Sequence, residues 1–122
     1  MSKIRVLLLA VGLLLSSNQN AFAHAELIKS FPVANSTLTK SPGFIQLEFG
    51  ETLTTLKSKT ANSIMIFDTK SHKIATTKIS VKKGIARVAL IGALKSGKYT
   101  IKYRVVSADG HVLKSQFKFT LR

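Results

Sequence analysis

The chain has 122 residues, no cysteine and no tryptophan, and its 19 Lys and Arg against five Asp and Glu give a formal charge of +14. The missing cysteines exclude disulfide staples and thiol-based redox or metal chemistry. The charge raises nucleic-acid binding as a class, but the lysines are scattered, Lys82-Lys83 being the only adjacent pair, and no aromatic residues interleave with them to stack on bases. No nucleic-acid partner is expected; a solvated basic surface that aids solubility and steers partners is the better reading.

The first 23 residues fall into three parts: basic Lys3 and Arg5, the apolar run Val6 to Leu15, and polar Ser16 to Asn20 closed by Ala21-Phe22-Ala23. This is the order of a secretory signal peptide with a small-x-small cleavage site. The run is too short for a spanning helix, which needs about 20 apolar residues. Cleavage after Ala23 leaves residues 24–122, with 17 basic side chains against five acidic ones and no second apolar run to cross a membrane. A chain of that size forms one domain with its own core.

In chain order, a short strand is expected from Ala25 to Lys29, ended by Pro32 and Asn35-Ser36. After Ser41-Pro42-Gly43, Ile45, Leu47 and Phe49 alternate with Gln46 and Glu48, the period of a half-buried strand. Thr52 to Asn62 is the least patterned stretch and reads as a long loop. Shorter strand candidates are Ser63 to Asp68, Lys73 to Ser80 and, after the turn Lys83-Gly84, Ile85 to Leu90. Two strong alternations close the chain, Tyr99 to Val105 after Ser96-Gly97 and Phe117 to Leu121, with Asp109-Gly110 between them favouring a tight hairpin. Tyr99, Tyr103, Phe117 and Phe119 read as core. About seven short strands without a convincing helix predict an all-β antiparallel sandwich or barrel.

Cleavage after Ala23 makes His24 the first mature residue, and its α-amine and imidazole Nδ1 then form one chelate. The amine has a reference pKa of about 7.7–8.0, so a metal displaces its proton near neutral pH. A second set of donors stands in "RVVSADGH", where Asp109 and His111 flank Gly110 at the end of a strand. An N-terminal histidine or an Asp-Gly-His turn alone is weak; together they are more specific.

Those residues carry a resemblance. "HAELIKSFPVANSTLTKSP", "IQLEFGETL", "GKYTIKYRVVSADGH" and the closing "FKFTL" resemble the CopC-type periplasmic copper-binding proteins. The likeness spans most of residues 24–122 and is thinnest between Thr54 and Leu90. It implies a Greek-key β-barrel or sandwich of immunoglobulin-like appearance and one Cu(II) ion held by the amine and imidazole of His24, by Asp109 and by His111. It also implies a periplasmic location and delivery of copper to a CopD-type inner-membrane protein. Amine, imidazole and carboxylate are an N,O set that suits tetragonal Cu(II). Some members carry a methionine-rich loop for Cu(I); with Met65 the only methionine after residue 23, no Cu(I) site is expected here. Tyr103 stands where the family often has tryptophan, and Lys114-Ser115 replaces a glycine-containing stretch.

Glu51 matches a strand-end glutamate of the family and is a candidate to orient a ligand. His72, between lysines, reads as a surface histidine, and Ser107 as a structural hydroxyl of the signature turn. A binding protein rather than an enzyme is expected. Two other readings stand beside it: an oxidative enzyme with an N-terminal histidine copper site, and a metal-free immunoglobulin-like interaction module.

Overall fold

The structure, a computed structural model, describes residues 26–55 and 61–122. His24 and the Ala21-Phe22-Ala23 cleavage site lie outside the described residues. Eight strands follow in order: β1 (Leu27–Phe31), β2 (Thr37–Leu38), β3 (Phe44–Phe49), β4 (Ser63–Phe67), β5 (Ser80–Lys82), β6 (Ile85–Ala89), β7 (Gly97–Val106) and β8 (Val112–Leu121). They form two four-stranded sheets, β1-β3-β6-β5 and β2-β8-β7-β4, so the expected all-β architecture is an open sandwich, not a closed barrel. The chain passes repeatedly between the sheets; β5–β6 and β7–β8 are hairpins, while the other pairs, such as β1 with β3, join strands that are not consecutive.

Alternation produces the core. Ile45, Leu47 and Phe49 of β3 are buried, as are Tyr99, Ile101, Tyr103 and Val105 of β7, while the residues between them face outward. The two sheets thus press apolar faces together, the ordinary way a sheet removes one side from water. Aromatic contacts support the core: Phe49 meets Tyr103 of the opposite sheet edge-on at 5.7 Å, and Tyr99 stacks on its cross-strand neighbour Phe119 at 5.4 Å. Burying the Tyr99 hydroxyl requires a partner, and it donates to the Lys95 carbonyl at 2.6 Å. Tyr103 is therefore core, as its place in the alternation requires, and Phe117 packs partly buried against the same cluster.

Two stretches differ from the alternation pattern. The candidate strand Lys73 to Ser80 is a crossover instead. Lys73 bridges Phe67 and the Ile74 amide donates to Ile66 in one sheet. Thr76 then bridges Leu90, and the Thr77 amide donates to Ala89 in the other. A segment that changes partners between layers makes no continuous ladder, and regular pairing resumes at β5. The Thr52 to Asn62 stretch holds a core residue: Leu53 is buried, bridges Ser107 across the end of β7, and donates its amide to the Lys83 carbonyl at 2.9 Å.

Gly84 makes this last arrangement possible. Its carbonyl accepts from the Phe49 amide at 2.8 Å, so the β5–β6 turn passes directly beneath the chain leaving β3. A Cβ at Gly84 would stand 2.7 Å from the Phe49 carbonyl oxygen and 2.8 Å from that of Glu51. Both are backbone atoms and cannot swing aside. Gly84→Ala should lower stability by about 1–3 kcal/mol, as overpacking does. Gly92→Ala, where an added Cβ meets nothing within 4 Å, should change it by less than about 0.5 kcal/mol. Urea unfolding of the two variants measures the difference, and equal stabilities would refute this account of Gly84.

Candidate metal centre

The loop Ser107 to His111 joins β7 to β8, whose ladder runs unbroken from Gly97↔Leu121 to Val106↔Val112. It closes on itself through two backbone bonds: the Gly110 amide donates to the Ser107 carbonyl, and the Ser107 amide to the His111 carbonyl, each at 2.9 Å. The first closes a four-residue turn with glycine in its last position, a preferred arrangement. Gly110 has φ +93°, which a residue with a side chain adopts only at a cost. The Asp109-Gly110 hairpin is thus present, with five residues between the strands.

The side chains add a second layer of bonds. Ser107, wholly buried at the top of the core, donates its hydroxyl to Asp109 Oδ1. That oxygen also accepts from the His111 amide at 3.1 Å, the bond by which aspartate secures a turn two residues ahead. Asp109 Oδ2 lies 2.8 Å from His111 Nδ1. The Ser107 hydroxyl, followed by the ring and amide of His111, holds the Asp109 carboxyl well below the usual carboxylate range. Asp109 is therefore an anion throughout the physiological range. A neutral imidazole that gives its Nδ1 proton to this carboxylate carries its lone pair on Nε2, the tautomer in which histidine ligates metals. Both side chains remain substantially exposed, His111 by 56% and Asp109 by 47%.

A neighbouring segment buttresses the loop. The Thr52 carbonyl accepts from the Ala108 amide at 2.9 Å, and the Thr54 amide donates to Val106 at 2.8 Å. Asn62, buried, clamps both partners: its Nδ2 donates to the Thr54 carbonyl at 2.8 Å and its Oδ1 accepts from the Val106 amide at 2.9 Å. Sequence reasoning missed Asn62, since an asparagine just before a strand reads as a turn residue. Glu51 enters this segment half-buried, and its carboxylate makes no hydrogen bond or ion pair among the described residues; what places it near the loop is its backbone alone.

The described chain also begins at this end. The Glu26 carbonyl accepts from the Gly50 amide at 2.9 Å, and Leu27 pairs with Phe49. Glu26, the Gly50–Thr54 segment and the Asp109–His111 loop thus follow one another across one end of the sandwich. Among the described residues, no three His, Asp or Glu side chains converge on a metal-sized site. The structure brings together two of the three expected ligands, Asp109 and His111, and the third, His24, precedes Glu26 by two residues.

His72 lies at the other end, after β4. Its Nδ1 is 3.2 Å from Asp68 Oδ2, and its amide donates to Asp68 Oδ1 at 2.9 Å. That amide is the main reason the Asp68 carboxyl is lowered. The pair mirrors Asp109–His111 in its contacts, but no buried hydroxyl supports it and His72 is 73% exposed. It fits a surface loop histidine.

A largely antiparallel sandwich whose last hairpin presents a locked Asp-Gly-His loop defines a class of small β domains. The chain matches the CopC domain model over residues 27–122, and it belongs to that family. It is 32% identical to Protein YobA of Escherichia coli K12, over 99% of this chain and 98% of that protein. It is 29% identical to the Copper transport protein CutJ of Bacillus subtilis over 84% of this chain, which spans only 19% of that longer relative. The crystal structure of PcoC, a methionine-rich copper resistance protein from Escherichia coli, superposes with a TM-score of 0.68 at 30% identity, covering 82% of this chain and 100% of that one.

The loop's electrostatics are testable in the metal-free protein. Removing the Ser107 hydroxyl should raise the Asp109 pKa towards its ordinary value, because the largest stabilisation of the carboxylate is lost. Since the folded pKa is depressed, Asp109 contributes stability that is present above about pH 4, the unfolded value, and is lost as pH falls below it. Ser107→Ala should show less of that acid-range loss. Carboxyl NMR titration of Asp109 in both proteins measures the shift, and an unchanged titration would refute the role given to Ser107.

Proposed function

We propose that the chain is a periplasmic Cu(II)-binding protein that buffers copper or passes it to a membrane transporter of the CopD type. One ion per chain is held by the amine and imidazole of His24, by His111 and by Asp109. The observation that carries this reading is the convergence at one end of the sandwich. The backbone at Glu26 enters beside Gly50, and the segment from Gly50 pairs with the loop that presents Asp109 and His111. Two residues span at most about 7 Å, a reach that suits a ligand set joining His24 to that loop. Membership of the CopC family, and relatives whose names describe copper transport and copper resistance, support the choice of metal.

Asp109 has two tasks in this reading. Its oxygens already accept from Ser107, the His111 amide and the His111 ring. A carboxylate offers about four lone-pair sites, which leaves one for the metal while the others fix the imidazole. Where the sequence implied only a ligand, the geometry supports an orienting role as well. Met65, on β4, is the only methionine among the described residues, and it is distant from the loop along the ladder. This supports Cu(II) rather than Cu(I) as the cargo. A single small domain offers little room for the broad substrate face that an oxidative enzyme needs, so binding is favoured over catalysis.

Three substitutions test the ligand set by Cu(II) titration. His111→Ala should weaken binding by about 100-fold or more, since losing even a ligand's supporting partner typically costs about 10–100-fold. Asp109→Asn should weaken it less, and His72→Ala should have no measurable effect. Adding one residue before His24 converts its amine to an amide and should cost as much as His111→Ala. Tight binding that survives the extension would sink the amine chelate. Intact mass of the exported protein, expected to begin at His24, checks the processing on which it depends.

The pH dependence follows from the same donors. Asp109 is already ionised, so protons compete with the metal at the imidazoles and the amine, which must be unprotonated to ligate. Cu(II) affinity should fall steeply from pH 7 towards pH 5, while a Cu(I) chelator should strip the metal readily after reduction. Affinity for Cu(I) equal to that for Cu(II), with a flat pH profile, would mean that other ligands hold the metal.

A further inference from the structure

The two sheets turn very different faces to solvent. In the β1-β3-β6-β5 sheet the outward positions mix Lys29, Lys82 and Arg87 with Glu48, and Arg87 is occupied over the Phe44 ring at 3.7 Å. In the β2-β8-β7-β4 sheet the register places Lys98, Lys102 and Arg104 of β7 beside Lys114 and Lys118 of β8 on the outer face. Lys73, bridged to Phe67, extends the same face past the edge strand. These six cations share the face with no carboxylate, and among the described residues the ion pairs are the two Asp–His pairs at its opposite ends.

Arg104 and Lys114 are direct cross-strand partners. Like charges so placed repel. Residues on one face of a strand recur about every 7 Å and neighbouring strands lie about 4.8 Å apart, so Arg104 lies within a Debye length, about 8 Å, of both Lys102 and Lys114, while Lys118 stands about that far from Lys98 and Lys102 and Lys73 lies farther out. A face built this way is held against its own repulsion and gains when a polyanion covers it. The cations form a two-dimensional array on a sheet, and Lys102, Arg104 and Lys114 also border an open concavity with Ser63, Met65 and Gln116. The one aromatic ring among them, Phe67, is covered by the Lys102 ammonium at 5.2 Å, so it gives no stacking platform for bases.

We propose that the outer face of the β2-β8-β7-β4 sheet is a docking surface for an anionic phospholipid bilayer. Half-buried Met65 and Phe67 give the face an apolar strip among the cations. The last pair of the ladder, Val106↔Val112, belongs to the same face, with Val112 half exposed beside the Asp109–His111 loop. Docking by this face sets that loop at the bilayer edge, whether or not the loop carries copper.

Cosedimentation of the exported protein with vesicles tests the proposal. Vesicles of 3:1 phosphatidylcholine and phosphatidylglycerol should bind it at low salt, pure phosphatidylcholine should not, and raising salt to about 0.5 M should release it. Each lysine near an anionic surface carries about a fivefold change in affinity. Lys102→Gln with Lys118→Gln should therefore weaken binding about 25-fold. Lys29→Gln with Lys82→Gln, which remove the same charge from the other sheet, should weaken it less than about threefold. Circular dichroism and thermal melts establish that both pairs remain folded; if the first pair does not, Lys98→Gln with Lys114→Gln replaces it. Equal losses for the two pairs would show an effect of net charge alone and overturn the proposal. So would binding to neutral vesicles, or capture by a sulfated polysaccharide without binding to anionic vesicles.

Discussion

A hydroxyl with no surface in water must find acceptors inside the protein, and at Ser107 that requirement organises the end of the molecule that carries the candidate site. The residue continues the inward-facing series of β7, so the β-ladder itself carries its side chain into the top of the core. An apolar side chain there would be content with packing. The hydroxyl instead engages Asp109, and Asp109 in turn engages both the ring and the amide of His111. An unmade bond at a buried polar group costs roughly 1–3 kcal/mol, so the loop has one well-satisfied conformation and few alternatives. The imidazole is thus oriented by a chain of constraints that starts in the hydrophobic core rather than at the surface where it lies.

This also explains what the sequence could reveal. Period-two alternation was decisive for β3, β7 and β8, because each strand buries one face against the opposite sheet. Asp109-Gly110 marked the hairpin, since few other residues suit its geometry. Leu53 and Asn62 were hidden for the converse reason. Each serves one isolated contact, Leu53 a bridge to Ser107 and Asn62 a clamp on Thr54 and Val106, and a single contact leaves no period in the sequence. The crossover from Lys73 to Ser80 misled because its residues are good strand formers that pair with one sheet and then with the other. The pair β2–β8, two residues long and parallel, is equally invisible to pattern, because its register is set by the fold around it.

The candidate site was legible to a different depth at each residue. Types and spacing singled out Asp109 and His111, and the structure brings their side chains into contact. What spacing does not convey is the division of labour between them. In sequence Asp109 is one more oxygen donor; in the loop it is first a hydrogen-bond acceptor that sets the tautomer of His111. The comparison with Asp68 and His72 sharpens the point. Their side chains meet at similar distance, and Asp68 also accepts backbone amides from its own turn. Yet among the described residues Asp68 has no buried donor behind it, and no segment like Thr52–Thr54 pairs across its loop. An Asp–His contact is common surface chemistry; its attachment to the core distinguishes the signature loop.

Charge distribution follows from the same alternation that builds the core. Once Tyr99, Ile101, Tyr103 and Val105 face inward, Lys98, Lys102 and Arg104 must face outward together. The pairing of β8 then adds Lys114 and Lys118 to the same side. A basic composition scattered along a sequence becomes, through strand geometry, one charged plane and one mixed plane. Overall charge alone would make both faces alike. The outer face that carries the cations and the loop that holds Asp109 and His111 are also the side and the end of a single hairpin, β7–β8. An orientation imposed on the face therefore orients the loop, without any hinge or linker between them.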